Sequence, residues 1–267
     1  MGYIPTDIPG IWYTELNQSV NKEEYTPICE ELAKDRYRVI TAKESLKLFD
    51  AGELMAKDKV TVIWFHDIES PCENYLSYEM AKIEHEFGLA STHNIRTFSA
   101  ETEALRKPLF DIEKLGGDIE YQYETLIEAQ GDVAKARELF GEHLTELREF
   151  FPNISVAFAH GIYNSGLDSS TQFKDENGEW APELWEAHGI HPKGAFYYFI
   201  EVLKKQYQEK FHYIGEPQCL GGSEFVEALS DVNLSNIVLF LQHPIYWSSC
   251  VRIDAYKEWR RNSILFK

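Results

Sequence analysis

Long apolar runs are missing from this chain of 267 residues. No stretch of about 18 apolar residues exists, so no membrane span is expected. The first residues, MGYIPTDIPGIWYTEL, lack a basic segment leading into an apolar one. That pattern predicts no signal peptide and places the chain in the cytoplasm. Cysteine is sparse: Cys29, Cys72, Cys219 and Cys250 stand far apart, with no CxxC pair. A disulfide framework is therefore not expected, and the thiols read as reduced. Basic residues are few, 26 against 44 acidic ones, for a net charge of −18. A protein so acidic does not hold nucleic acid or an anionic membrane through a basic face. Repeats, linkers and low-complexity tracts are also lacking. The chain reads as an N-terminal arm over 1–36 packed on one domain over 37–267.

Within that domain, short apolar runs alternate with helical patterns. The run VTVIWF at 60–65 is apolar on both faces, as in a parallel strand covered by helices. Further strands are expected at 89–98, 118–123, 155–161, 211–216 and 236–244. Ser70, Pro71 and Glu73 resemble a helix start, and Leu76, Met80, Ile83 and Phe87 follow at helical spacing. Other helices are expected over 101–115, from an Asp132 cap onward, near 183–188, over 195–209, and in the closing IDAYKEWRRNSILF. Residues 1–58 read as an irregular arm followed by one short helix, ESLKLFDAG. Strand, helix, strand with short links means βαβ units. The expected fold is α/β, a deformed (β/α) barrel of about seven parallel strands. Alternation alone leaves an open doubly wound sheet as an alternative.

In such folds chemistry collects at the carboxyl ends of strands. Those ends carry His66, Asp67 and Glu69; Gln122, Tyr123 and Glu124; His160; and His243 with Trp247 beyond it. His93 lies mid-strand and reads as packed rather than catalytic. Each has a bland reading too. Asp67 and Glu69 can cap the following helix, and His243-Pro244 can simply end a strand.

The ordered set resembles a known family. YRVITAKESLKLFDAGELMAKDKVTVIWFHDIESP and YEMAKIEHEFGLASTHNIRTF resemble the opening of NodB-type polysaccharide deacetylases. The closer likeness is to the WbmS-type subgroup associated with surface-polysaccharide gene clusters. GGDIEYQYETLIEAQGD, FAHG and LFLQHPIYW are similar to its later motifs, and the likeness runs from about residue 37 to 250. The resemblance implies a sugar deacylase with one divalent metal, ordinarily zinc. It implies Asp67 as general base, Glu69 as metal-binding acid, His243 as the late acid histidine, and His160 as the histidine of the His-Gly element. It places substrate against His66, Gln122, Tyr123, Glu124 and Trp247, with Tyr163 and Trp180 completing an aromatic lining. The two metal histidines of the family fall on Gly117 and Gln122, neither an imidazole. A catalytic zinc keeps three protein ligands, so no cofactor is expected at those positions. A site rebuilt from Glu69, His93, His160 and His243 is an alternative.

Three readings stay open. One is a deacetylase-like protein acting on or binding an N-acylated or nucleotide-linked sugar without the usual metal. Another is an active deacylase with a non-standard metal site or metal-free acid–base chemistry. The last is a non-catalytic domain whose acidic surface meets a basic partner.

Overall fold

The computed structural model describes residues 19–71, 73–160, 166–216 and 221–248. In chain order the elements are α1 (Lys22–Leu32), β1 (Tyr37–Ile40), α2 (Ala42–Asp50), β2 (Val60–Asp67), α3 (Glu73–Glu86) and β3 (Thr92–Ile95). Then come α4 (Glu103–Lys114), β4 (Asp118–Tyr123), α5 (Thr125–Glu128), α6 (Val133–Arg148), β5 (Ala157–Ala159) and α7 (Glu183–Glu186). The last are α8 (Phe196–Tyr207), β6 (Phe211–Gly215), α9 (Gly222–Ser230) and β7 (Ile237–Gln242).

All seven strands are parallel and form one curled half-barrel sheet, six of them in the order β5-β4-β3-β2-β7-β6 and β1 off this path beside β2. β1 pairs with the first half of β2, from Val60 to Ile63, and β3 with its last residues, Phe65 to Asp67. Among the described residues β5 and β6 do not pair, so the ring is open. Helix α8 touches both of these edge strands. Its Phe196, Phe199 and Leu203 pack on the concave face with Ile40, Ile63, Phe65, Phe158, Ile237 and Leu239. The apolar stripe of α8 does the work a further strand would do in a closed barrel.

The convex face is covered by helices, which explains strands apolar on both sides. Val60, Val62, Trp64, Val238 and Phe240 pack against α1, α3 and α9 through Ile28, Leu32, Leu76, Met80 and Phe225. Ile119, Tyr121, Tyr123, Ala157 and Ala159 pack against α4 and α6 through Leu109, Ile112, Phe140 and Leu144. The expected stripe of α3 is buried at Leu76, Met80 and Ile83. Asp132 caps α6, its carboxylate accepting from the Lys135 amide at 3.0 Å.

The expectation for residues 1–58 needs correction. Within it lie a helix, α1, and a strand, β1, and Tyr25, Ile28, Cys29 and Leu32 are fully buried. Pro27 inside α1 broke the sequence signal, since proline ordinarily ends a helix. Also missed is α9, a short helix beginning on glycine. The terminal helix, Tyr163, the first eighteen residues, Cys72, Cys219 and Cys250 lie outside the described residues. No helix among those described is long and apolar enough to cross a membrane.

Candidate active site

Side chains alternate faces along a strand, and this period decides the site. On β2, Ile63 and Phe65 point into the concave core, so Asp67 follows on that face. On β4, Tyr121 and Tyr123 belong to the convex core, which turns Gln122 inward, and Glu124 follows it. His160 shares the face of Phe158, and His243 that of Leu239. The register pairs His66 with Gln242 and Tyr123 with Ala159. The next residues, Asp67 with His243 and Glu124 with His160, therefore come side by side at the carboxyl mouth.

The polar groups there form one cluster around Glu69. His160 Nε2 stands 2.7 Å from Glu69 Oε2, and its Nδ1 2.9 Å from Glu124 Oε2. Arg96, just past β3, pairs with Glu124 and lies 3.8 Å from Glu69 Oε2. On the other oxygen, Gln122 Nε2 donates to Glu69 Oε1 at 3.0 Å, and His243 Nε2 stands 3.8 Å away. His243 Nδ1 and its backbone amide both meet Glu216 Oε2 at 3.0 Å. Asn94 Nδ2 donates to Asp67 Oδ1 at 2.6 Å. Facing donor atoms of Asp67, Glu69 and His243 all lie within 4.8 Å of one another.

Burial and neighbouring charge set the protonation states. Burial lifts the Asp67 carboxyl to about 6, against the pull of His243, with Glu69 adding to the rise. Burial also works against the charged form of Glu69, but His160, His243 and Arg96 outweigh it and hold the carboxyl at about 2. His243 loses solvation too, yet Glu216, Asp67 and Glu69 raise it to about 10. Glu73, buried behind the loop and bonded to Ser70 Oγ at 2.8 Å, is pushed to about 8 by burial and by Glu69. Tyr197 on α8 is exposed over part of its side chain, but loss of solvation at its phenol, with the charges of Asp67, Asp168 and Glu69, raises it to about 12.

The sequence-predicted residues divide by face. Asp67, Glu69, Gln122, Glu124, His160 and His243 are brought together. His66, Tyr123 and Trp247 are not, which corrects their assignment as substrate contacts. The strand period turns His66 and Tyr123 to the convex side, and Trp247 packs on Tyr25 and Phe225. Trp180 stacks near Trp185 and Tyr198. His93 is packed, as expected, so it drops out of the rebuilt set. Sequence reading missed Arg96, Asn94, Glu216 and Tyr197. Strand parity held the signal for the first two, because Asn94 and Arg96 follow Thr92 on alternate positions.

His66 and His93 instead face Glu84 of α3 in a fully buried circuit. Glu84 Oε1 accepts from Tyr25 at 2.6 Å and meets His66 Nε2 at 2.9 Å, while Oε2 accepts from Ser91 at 2.5 Å. His93 bridges Ser77 at 2.5 Å and Ser91 at 3.1 Å. Burial and the neighbouring His66 push His93 down to about 3, so it is neutral.

The metal positions implied by the resemblance do not fit. Gly117 precedes β4 at its amino end and Gln122 lies near its carboxyl end. Five residue steps along the strand separate them by about 17 Å, far beyond the span of one ion's ligands. A Cβ at Gly117 would stand 2.7 Å from Ile112 Cγ2, so that position is closed to any side chain without rearrangement. No family model matches this sequence, and neither a curated protein nor a solved structure matches it.

Proposed function

We propose that the protein is a carbohydrate deacylase-like hydrolase of the NodB type, related to the WbmS-type subgroup, that takes an N-acylated sugar at this mouth. One observation carries the reading: strands β2, β4, β5 and β7 each deliver an inward polar residue at the carboxyl end, and these meet in one cluster. Acyl hydrolysis needs a proton-transfer group beside an electrophile-activating one. His160, oriented by Glu124 and flanked by Arg96, is assigned proton transfer. Asp67, Glu69 and His243 form the opposite wall and face the reacting carbonyl. This moves proton transfer away from Asp67 and His243, whose facing donor atoms converge with one from Glu69 on a common point. Tyr197, on the rim, supplies the aromatic surface that Tyr123 and Trp247 do not. The acidic surroundings favour a neutral or amine-bearing sugar over a phosphorylated one. The metal-free and binding-only readings differ from this one in turnover alone.

The test is a panel of N-acetyl and N-formyl amino sugars, free and nucleotide-linked, incubated with the full chain. Release of acetate or formate is expected, with His160→Gln slowing it by about 100-fold, the usual worth of a general acid–base group. A panel with neither release nor saturable binding overturns the reading.

A further inference from the structure

We infer that Asp67, Glu69 and His243 form a divalent cation site at the barrel mouth, in which Asp67 and His243, beside Glu69, take the place of the two metal histidines of the family. The inference shares its site with the deacylase reading and is separable from it. Three lines of geometry lead to it. The first is donor spacing. The three facing donor atoms, two carboxylate oxygens and an imidazole nitrogen, lie within 4.8 Å of one another. Ligand atoms around one tetrahedral zinc-sized ion lie about 3.4 Å apart, so side-chain adjustments of up to about an ångström close the site.

The second line is orientation. A metal-binding histidine characteristically gives its other ring nitrogen to a carboxylate, which fixes the ring. Glu216 holds His243 Nδ1 at 3.0 Å and leaves Nε2 facing Glu69. Asp67 is held in turn by Asn94, and Glu69 by Gln122 and His160. Arg96 and His160 both sit at Glu69 Oε2. The Oε1 side, with Asp67 and His243, is thus the side away from the guanidinium charge.

The third line is independent of the acidic cluster. Gln122 and Asn94 are fully buried, their amide nitrogens are spent on Glu69 and Asp67, and their oxygens have no donor. Buried acceptors left without a donor are uncommon and costly. Water carried by a bound cation would supply the donors. The contrast with His66, Glu84 and His93 sharpens the choice. That trio also has the spacing for a metal. Its Glu84 oxygens and both His93 nitrogens are already joined by hydrogen bonds, in a fully buried pocket. An ion there would break the circuit; an ion at the mouth would complete one. Mixed oxygen and imidazole donors suit zinc, manganese, cobalt or ferrous iron rather than calcium. Bound there, such an ion would act as a Lewis acid toward a carbonyl.

The full chain, freed of metal by chelator and dialysis, is titrated with Co²⁺ and Zn²⁺. Visible absorption and calorimetry read out binding. One ion per chain is expected, with a cobalt d–d band. Glu69→Gln, Asp67→Asn and His243→Gln should each weaken binding by at least 10-fold while circular dichroism stays that of the parent. His93→Gln should leave affinity and spectrum unchanged. A folded parent protein that takes up no cobalt overturns the inference. So does binding that survives Glu69→Gln, or that is lost with His93→Gln instead. Acyl release by a protein that takes up no cobalt would overturn the cation site and leave the deacylase reading standing. Stoichiometric cobalt binding with neither acyl release nor saturable sugar binding would do the reverse.

Discussion

Glu84 is the carboxylate at the centre of the buried polar circuit on the convex face. Its carboxylate is fully buried, and although burial opposes ionisation, His66 above all, with the Ser91 hydrogen bond, holds it at about 2. A carboxyl depressed on folding adds stability that is fully present above its unfolded value, near 4.5, and is lost as pH falls toward 2. The swing is on the order of 3 kcal/mol for a shift of this size. Urea denaturation between pH 7 and pH 3 should show it, and Glu84→Gln should flatten that dependence. The same substitution should cost about 2–4 kcal/mol at pH 7, because glutamine keeps one acceptor oxygen where the carboxylate has two and sets an amide donor against the donors on the other side. Neither effect was legible in the sequence. Glu84 reads there as one more acid on a helix, and only the packing of α3 across β2 and β3 reveals what it faces.

At the level of elements, β4 shows both what a sequence can give and where it misleads. The run DIEYQY forms the strand as expected, from Asp118 to Tyr123. Alternation of Ile119, Tyr121 and Tyr123 with Glu120 and Gln122 fixes which residues face the mouth. What similarity could not fix was the place of Gly117, since aligned letters do not say at which end of a strand a residue falls. Gly117 lies against Ile112, the Ser91 carbonyl and His93. Gly117→Ala should therefore cost about 1–3 kcal/mol by overpacking, read as a lower denaturation midpoint. Gly117→His, which restores the family's letter, should destabilise further and add no zinc affinity. An increase in zinc affinity would show that the register of β4 is other than described. The strand ends carrying Asp67, His160 and His243 were legible because apolar runs stop abruptly there. Glu216 was not singled out, because its partner His243 lies 27 residues away.

For the molecule as a whole, the governing feature is the unpaired gap between β5 and β6, filled by α8. A closed barrel has a bore fixed by strand number and stagger. An open sheet with a helical wedge has no such constraint. Glu124 and His160 belong to the sheet half that ends at β5, and Glu216 and His243 to the half that ends at β6. The seating of Phe196 against Phe158, ring centroids 4.2 Å apart, and against Phe65 sets how far the halves splay. Phe196→Ala should accordingly speed amide exchange in β5 and β6 more than in β1 and β2, as read by mass spectrometry. Equal acceleration in all four strands would mean that the wedge does not control the curl. The aperture of the mouth is thus tuned from beneath, by the apolar side chains of α8 packed on the concave face. Selection for a wider or narrower ligand can act on α8 while leaving every charged residue in place.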